Sequence, residues 1–330
     1  MTDDRTPARS LPDPVDRPDP FRTAAAGRSN LAWPGDGSAI RPELADDCWF
    51  LSGPTASGKS DLGVALAREL AAEILSVDSM AVYRGLDVGT AKPTAEQREG
   101  VPHHLIDLVA PGEPFSVARW LAAAAAAVAD CRRRGRRILF VGGTPLYLRA
   151  LRDGLAPLPA GDPEFRRRLA EEAAAEGTAA LHARLAAVDP AAAARIHPND
   201  LKRIIRALEV ERGTGRPLSA AFAPAPHPVF ERQFLVLDLP RPILHDRIDR
   251  RVERMFAGGL VEETRAALAA PGGIGPTASQ AAGYAEAIDL VEGRIDRAEA
   301  IRRTQQRTRQ LAKRQLTWLR SFKHAIWIPG

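Results

Sequence analysis

The chain has 330 residues, of which 45% are hydrophobic and 26% charged, and it carries a net charge of +5. This composition is typical of a folded globular protein and excludes a wholly disordered chain. No apolar run approaches the roughly 20 residues of a membrane-spanning helix, and the charged first residues lack an apolar signal core. We therefore expect a soluble, cytoplasmic protein without a membrane partner, and the positive charge favours an anionic ligand.

Two cysteines, Cys48 and Cys131, are present. They are too few for a disulfide framework, and they show no metal-ligand spacing. We interpret them as reduced thiols packed in the interior.

The first 45 residues differ in composition from the rest of the chain. Residues 1–45 are rich in Pro, Asp, Arg and Ser and show no sustained periodicity. Such a segment cannot bury enough apolar surface to fold, so it is predicted to be a disordered extension. Packed structure is expected to begin at the apolar segment Cys48-Trp-Phe-Leu51.

Short apolar segments then alternate with segments of helical periodicity. Apolar strands are predicted over 48–51, 73–77 and 137–141, and helices over 61–71 and 116–134. This alternation predicts an α/β fold with a doubly wound parallel sheet. In such sheets the ligand lies beyond the carboxyl ends of the strands.

The pattern changes between residues 158 and 228. Ala-, Glu- and Arg-rich helices such as 162–175 and 200–212 are bounded there by proline-rich segments, which predicts an inserted all-helical domain. The core would then consist of residues 46–157 and 229–330. Its second part is expected to contain a strand over 233–237, a basic helix near the end and a last short strand at 325–328.

A glycine-rich loop links the first predicted strand to the first helix. Gly53-Pro-Thr-Ala-Ser-Gly-Lys-Ser60 fits the phosphate-loop pattern G-x-x-x-x-G-K-[ST] with the strand and helix that the pattern requires. Backbone N–H groups and the helix N-terminus can face phosphate oxygens, Lys59 can reach the terminal phosphates, and Ser60 can bind Mg²⁺. The loop alone does not choose between a kinase, an NTPase and another transferase. The predicted phosphate-binding residues are Gly53, Pro54, Thr55, Ala56, Ser57, Gly58, Lys59 and Ser60.

Two further polar residues follow predicted strands. Asp78 is a candidate general base or a ligand of metal-bound water, and it is also a candidate turn cap together with Ser79. Thr144 follows two glycines, where it is either a helix N-cap or a hydrogen-bond donor to a substrate. Spacing alone leaves both pairs of alternatives open.

Several separated motifs, in order, resemble the bacterial tRNA dimethylallyltransferases. They begin with the loop 53–60 and continue with residues 77–93, which start Val-Asp-Ser-Met, residues 101–107, which start Val-Pro-His-His, and residues 141–147, which start Val-Gly-Gly-Thr. Residues 197–210, Gly283-Tyr284 and residues 307–320 are similar to the same family. The resemblance therefore covers about residues 47–328.

This resemblance implies a reaction and roles for individual residues. The family transfers a dimethylallyl group from dimethylallyl diphosphate to N6 of the adenosine beside the tRNA anticodon, and it uses Mg²⁺. Asp78 is then the expected general base and Thr144 its helper, while Lys59 and Arg265 stabilise the leaving diphosphate. The family also suggests a monomer without an obligate protein partner.

The resemblance also implies contacts with the anticodon stem-loop. Lys202, Arg203 and Arg206 give a helix of the inserted segment a basic edge, for which a solvated helix face is the alternative. Arg166 is either an RNA contact or part of a surface salt bridge, and Tyr284 is either an RNA contact or a core aromatic. The full set of predicted tRNA-binding residues is Asp78, Ser79, Met80, Ala81, Thr144, Arg166, Lys202, Arg203, Ile204, Ile205, Arg206, Gln280, Gly283 and Tyr284.

The sequence departs from the family pattern at two positions. Ala81 stands where glutamine is common, and Ala285 stands where lysine or arginine is common. These changes affect expected RNA contacts rather than the proposed chemistry. His103 and His104 match the family and are interpreted as structural residues.

Three other functions share parts of this pattern. A small-molecule kinase would use the same loop and aspartate, although it would need no basic helical segment. An enzyme that prenylates free adenine nucleotides would dispense with most of the RNA-binding edge. A nucleotide-switched RNA-binding protein would leave Asp78 and Thr144 without a purpose.

Overall fold

The computed structural model describes residues 41–156, 158–220 and 227–330. Most of the predicted disordered extension, residues 1–40, lies outside the described residues. Within residues 41–45, Leu44 is buried in the main hydrophobic core and Arg41 donates a hydrogen bond to the Arg152 carbonyl. Packed structure therefore begins several residues before Cys48.

A parallel sheet forms the centre of the molecule. Its strands within the described residues are β1 (Cys48–Ser52), β2 (Ala72–Ser76), β3 (His103–His104), β4 (Arg137–Val141), β5 (Phe234–Asp238) and β6 (Ile326–Pro329). They lie in the order β3-β2-β4-β1-β5-β6, and every neighbouring pair is parallel. The predicted parallel sheet is confirmed. The short edge strand β3, which comes from the two histidines, is an addition to it.

Helices connect the strands and follow them. They are α1 (Lys59–Glu69), α2 (Val117–Arg133), α3 (Pro145–Asp153), α4 (Pro163–Glu176), α5 (Thr178–Val188), α6 (Pro190–Ala193), α7 (Leu201–Thr214), α8 (Pro228–Arg232), α9 (Arg241–Ala257), α10 (Leu260–Ala269), α11 (Tyr284–Val291) and α12 (Arg297–Leu319). No helix of the described ranges is long and apolar enough to cross a membrane.

Successive side chains of each strand pack on opposite faces of the sheet, so the core has two parts. Phe50 and Phe140 pack on one face with the helices α2 and α3, and their rings stack with centroids 5.1 Å apart. The next residues, Leu51 and Val141, pack on the opposite face with α1. Alternate side chains of a strand point to opposite faces, so both faces are covered by helices, as a doubly wound sheet requires.

The helices between β4 and β5 have a hydrophobic cluster of their own. Phe165 and Leu169 of α4 pack there against Leu181 of α5 and Ile204 of α7. Residues 157 and 221–226, which border this segment, lie outside the described residues. The interpretation of residues 158–228 as an inserted tRNA-binding domain stays a prediction.

The long helix α12 returns to the edge of the sheet where the site lies. Its buried side chains follow one stripe, Ala300, Thr304, Thr308, Ala312, Gln315 and Leu319. Leu311 and Trp318 are half-buried beside this stripe. The helix contacts α3, α9 and α11 and so closes the core over the strand ends.

One carboxylate is buried in the sheet. Glu73 of β2 accepts hydrogen bonds from both Nη atoms of Arg134, and His104 Nε2 lies 2.6 Å from its Oε2. The ligand atoms of Glu73, His104 and Cys131 lie within 4.8 Å of one another, but the Arg134 guanidinium already binds both carboxylate oxygens and disfavours a cation there. Burial favours the protonated acid, yet the hydrogen bonds from Arg134 and His104 outweigh it and lower the pKa of Glu73 to about 2.

The ionised Glu73 is expected to make stability depend on pH. Because its folded pKa lies below its unfolded value, this contribution is present above pH 4.5 and is lost as the pH falls toward 2. The difference in free energy of unfolding between wild type and Glu73→Gln should shrink by about 2 kcal/mol between pH 6 and pH 3. Urea unfolding at both pH values measures it. If the difference in free energy of unfolding between wild type and Glu73→Gln does not change with pH, the ion cluster is contradicted. The control is Glu99→Gln, which changes the carboxylate of the exposed ion pair Arg68–Glu99.

Candidate active site

The phosphate loop lies between β1 and α1. Gly58 precedes the helix with φ of +90°, a conformation that L side chains rarely adopt, and the loop returns on itself where Lys59 Nζ donates to the Pro54 carbonyl at 3.2 Å. Burial and, to a lesser extent, the neighbouring Arg251 lower the pKa of Lys59 to about 8, although Asp78 opposes both effects. An anionic group bound beside Lys59 would relieve this unfavourable burial of positive charge.

Asp78 lies just beyond the carboxyl end of β2. Its Oδ1 accepts hydrogen bonds from the backbone N–H groups of Met80 at 2.8 Å and Ala81 at 3.4 Å. The side chain also lines the same cavity as Lys59 and Ser60. Asp78 therefore caps the turn and also faces the cleft. The turn fixes the orientation of its carboxylate.

Thr144 joins the ends of two strands. Its Oγ accepts a hydrogen bond from the Ser79 N–H at 3.0 Å and lies 3.4 Å from Ser79 Oγ. It occupies the N-cap position of α3 but makes no side-chain cap there. The preceding Gly142 allows this approach, since a Cβ at that position would lie 2.3 Å from the Val77 carbonyl oxygen. Thr144 and Asp78 are thus held on neighbouring loops.

Three cavities meet at these residues. An inner cavity of about 110 Å³ is lined by Lys59, Ser60, Asp78 and Arg251 among others. It shares Lys59, Ser60 and Arg251 with a wider cavity of about 800 Å³ beside the start of α1. On the other side it shares Asp78 and Arg251 with a cavity of about 370 Å³. The arrangement gives the inner site two separate approaches.

The arginine beside the phosphate loop is Arg251, not Arg265. Arg265 is exposed on α10 and lies outside the residues that line these cavities. Arg251 of α9 is half-buried and lines the inner cavity with Lys59 and Asp78, and burial lowers its pKa while Asp78 raises it. Arg247 and Arg254 lie one turn away on either side and line the wider cavity. Their helical spacing is visible in the sequence, but it does not reveal which helix packs against the loop.

The predicted RNA contacts divide into cleft residues and buried residues. Ser79, Met80, Thr144 and Gln280 line the 370 Å³ cavity, whereas Ala81 lines the inner one. Ile204 and Ile205 are buried in the hydrophobic cluster of the helical segment, and Gly283 and Tyr284 are buried beside α12. Apolar burial therefore holds these four residues in the interior, where they are inaccessible to RNA.

Most of the predicted basic edge is occupied by internal ion pairs. Arg166 and Arg206 both bind the buried carboxylate of Glu209, at 2.8 Å and 2.5 Å, and Arg203 lies 3.4 Å from Asp200. Lys202 is exposed. The salt-bridge interpretation of Arg166 matches the structure, and the positive charge that this edge can offer an RNA phosphate is reduced.

Tyr284 has a packing role that the sequence left open. Its hydroxyl donates to Glu263 at 2.5 Å, and the same carboxylate accepts from the N–H groups of Asp87, Val88 and Gly89. A Cβ at Gly89 would lie 2.5 Å from the Tyr284 ring. Tyr284 and Glu263 therefore anchor the loop that leads to Thr90 and Ala91 at the cleft.

The fold and the site define a P-loop protein whose phosphate loop, aspartate and threonine share one cleft. The family model described as IPP transferase matches residues 81–322, and the one described as isopentenyl transferase matches residues 47–107. This chain belongs to the tRNA dimethylallyltransferase family, also called the IPP transferase family, and is an enzyme that transfers prenyl groups.

The relatives and solved structures agree with this membership. A tRNA dimethylallyltransferase of Anaeromyxobacter dehalogenans (strain 2CP-C) is 55% identical over 280 residues, covering 84% of this chain and 93% of its own. The tRNA isopentenylpyrophosphate transferase of Bacillus halodurans is 40% identical with a TM-score of 0.62, covering 86% of this chain and 90% of its own. A eukaryotic dimethylallyltransferase described as acting on tRNA is 26% identical with a TM-score of 0.67, covering 85% of this chain and 73% of its own.

The structural role of Tyr284 gives a direct prediction. Tyr284→Phe removes a hydrogen bond to a carboxylate and should lower the free energy of unfolding by about 2 kcal/mol. The KM for tRNA should stay unchanged, because the hydroxyl is buried. Urea unfolding and initial rates over a range of tRNA concentrations measure the two effects. A raised KM for tRNA without a loss of stability would assign Tyr284 to RNA binding instead.

Proposed function

We propose that this protein transfers the dimethylallyl group of dimethylallyl diphosphate to N6 of the adenosine beside the tRNA anticodon, giving N6-dimethylallyladenosine and diphosphate. The observation that carries the proposal is the common position of Lys59, Asp78 and Arg251 in one inner cavity. The phosphate loop and the Asp78 carboxylate both line this cavity. Asp78 also lines the 370 Å³ cavity, which supplies a second space next to the carboxylate. Such a site fits an anionic donor and a separate acceptor.

The leaving group is the diphosphate. As the allylic C–O bond breaks, negative charge develops on the diphosphate oxygen that leaves. The N–H groups at the start of α1, the Lys59 ammonium and the Arg251 guanidinium are positioned to stabilise that charge. Arg251 takes the role that the sequence assigned to Arg265, because Arg251 is the residue that lines the cleft.

The acceptor is the exocyclic amine of adenine. Its lone pair is shared with the ring, so removal of a proton during attack assists formation of the N–C bond. In the proposed step Asp78 takes that proton, the new bond forms between N6 and the allylic carbon, and the electrons of the broken C–O bond leave with diphosphate. Thr144, held through Ser79 beside Asp78, helps to orient the amine.

Magnesium fits the oxygen groups of this cavity. Ser60 offers a hydroxyl and Asp78 a carboxylate in the same cavity, and hard cations such as Mg²⁺ prefer oxygen ligands together with substrate phosphates. Ser60 is the proposed protein ligand. When bound, the ion would neutralise charge on the diphosphate.

The adenosine is proposed to reach the inner cavity through the 370 Å³ cavity. A base inside a stacked loop is inaccessible to the carboxylate, so it must leave the stack, which costs less in an anticodon loop than in a duplex. Met80, Gln280 and Arg314 line this approach. Lys202 and the arginines near it would contact backbone phosphates of the anticodon stem-loop through the helical segment.

The test of the proposal is the variant Asp78→Asn. Asparagine keeps an oxygen that can accept from the Met80 N–H but cannot take a proton from the amine, so turnover should fall about 100-fold or more. Equilibrium binding of tRNA and of dimethylallyl diphosphate should stay close to that of wild type. Mass spectrometry of tRNA nucleosides measures transfer, and Asp246→Asn, at an exposed ion pair with Arg250, is the matched control. Unchanged turnover in Asp78→Asn would remove this residue as the base.

The two arginines give a paired prediction. Arg251→Ala removes a cation beside the developing charge and should lower kcat/KM about 100-fold or more. Arg265→Ala changes an exposed surface residue and should leave kcat/KM within about twofold of wild type. Initial rates under the same conditions compare the two. A large loss in Arg265→Ala with little change in Arg251→Ala would reverse the assignment.

A further inference from the structure

Gln315 of α12 bridges the two loops that form the site. Its Oε1 accepts a hydrogen bond from the Thr55 N–H at 2.8 Å, and its Nε2 donates to the Gly143 carbonyl at 2.8 Å. The side chain is buried and lines both the inner cavity and the 370 Å³ cavity. One amide therefore connects the phosphate loop to the turn that carries Thr144.

The contact demands both a donor and an acceptor within a confined space. Thr55 presents an N–H and Gly143 presents a carbonyl, so only a side chain with one group of each kind satisfies both. A Cβ at Gly143 would lie 2.7 Å from Gln315 Nε2 and 2.8 Å from the Gly53 carbonyl oxygen. The glycine lets the two loops approach to the distance that the amide of Gln315 spans.

This bond also occupies the Thr55 N–H. Because that N–H is directed to Gln315, phosphate binding is left to Lys59 and Ser60 of the loop and to Arg251, which line the inner cavity. These groups make no hydrogen bond to Gln315 among those found in the described part of the chain. Binding of diphosphate and relative placement of the two loops are consequently separable.

We propose that Gln315 is a positioning residue for the transfer reaction. It holds the phosphate loop in register with the Gly142-Gly143-Thr144 turn, so that the allylic carbon of a bound diphosphate faces the amine beside Asp78. This inference rests on the proposed function. A loss of register by a fraction of an ångström would lengthen the path of attack while leaving each substrate bound.

The variant Gln315→Glu tests the donor half of the contact. At pH 8 an ionised glutamate still accepts from Thr55 but cannot donate to Gly143, and kcat should fall about 100-fold, with the KM values for tRNA and dimethylallyl diphosphate within about threefold of wild type. The control is Gln310→Glu, the same change at an exposed position of the same helix.

A purely structural anchor would behave differently. It would lower the melting temperature and the active fraction of Gln315→Glu together, with kcat per active enzyme unchanged, and that outcome overturns the proposal. Gln315→Met, which removes both bonds without adding charge, should also lose kcat with little change in either KM.

A second measurement does not depend on how the variants fold. Hydrogen exchange in the wild type without substrate should show the Thr55 N–H protected, and rapid exchange there would exclude the bridge. If wild type fails to modify tRNA, the proposed function is wrong. If wild type is active while Gln315→Glu keeps its kcat at pH 8, the positioning role alone is wrong.

Discussion

The site depends on backbone hydrogen bonds between parallel strand ends. Val77 N–H donates to the Val141 carbonyl at 2.8 Å, and Gly142 N–H donates to the Leu51 carbonyl at 3.1 Å. These two bonds place the ends of β2, β4 and β1 side by side. Asp78, Thr144 and the phosphate loop follow directly from those ends, so the chemistry is set by the register of the sheet.

Helices far along the chain then complete what the strand ends begin. The α9 helix brings Arg251 into the cavity of Lys59 and Asp78, and α12 brings Gln315 between the two loops. Arg251 carries a charge and is half-buried, and Gln315 carries a polar amide and is buried. Their burial is tolerated because each faces either a hydrogen-bond partner or the space for an anion.

Local sequence patterns predicted the elements that depend on local physics. The strand-loop-helix at 48–69, the turn at Asp78 and the strand ending at Val141 follow from periodicity and glycine placement, and all are present in the structure. Long-range partners could not be predicted in this way. Choosing Arg251 over Arg265 requires knowing which helix packs on the loop, and the pairing of Arg166 with Glu209 joins residues 43 positions apart. The same holds for Tyr284, whose burial depends on Glu263 and on the loop at Gly89.

The most direct test of the account is mass spectrometry of nucleosides from unmodified tRNA incubated with the protein, Mg²⁺ and dimethylallyl diphosphate. Parallel reactions contain free AMP in place of tRNA, or ATP alone. We expect a dimethylallyl increment on adenosine from tRNA, with AMP unmodified and ATP unconsumed. Consumption of ATP without any increment on tRNA, or alkylation of AMP in preference to tRNA, would contradict it.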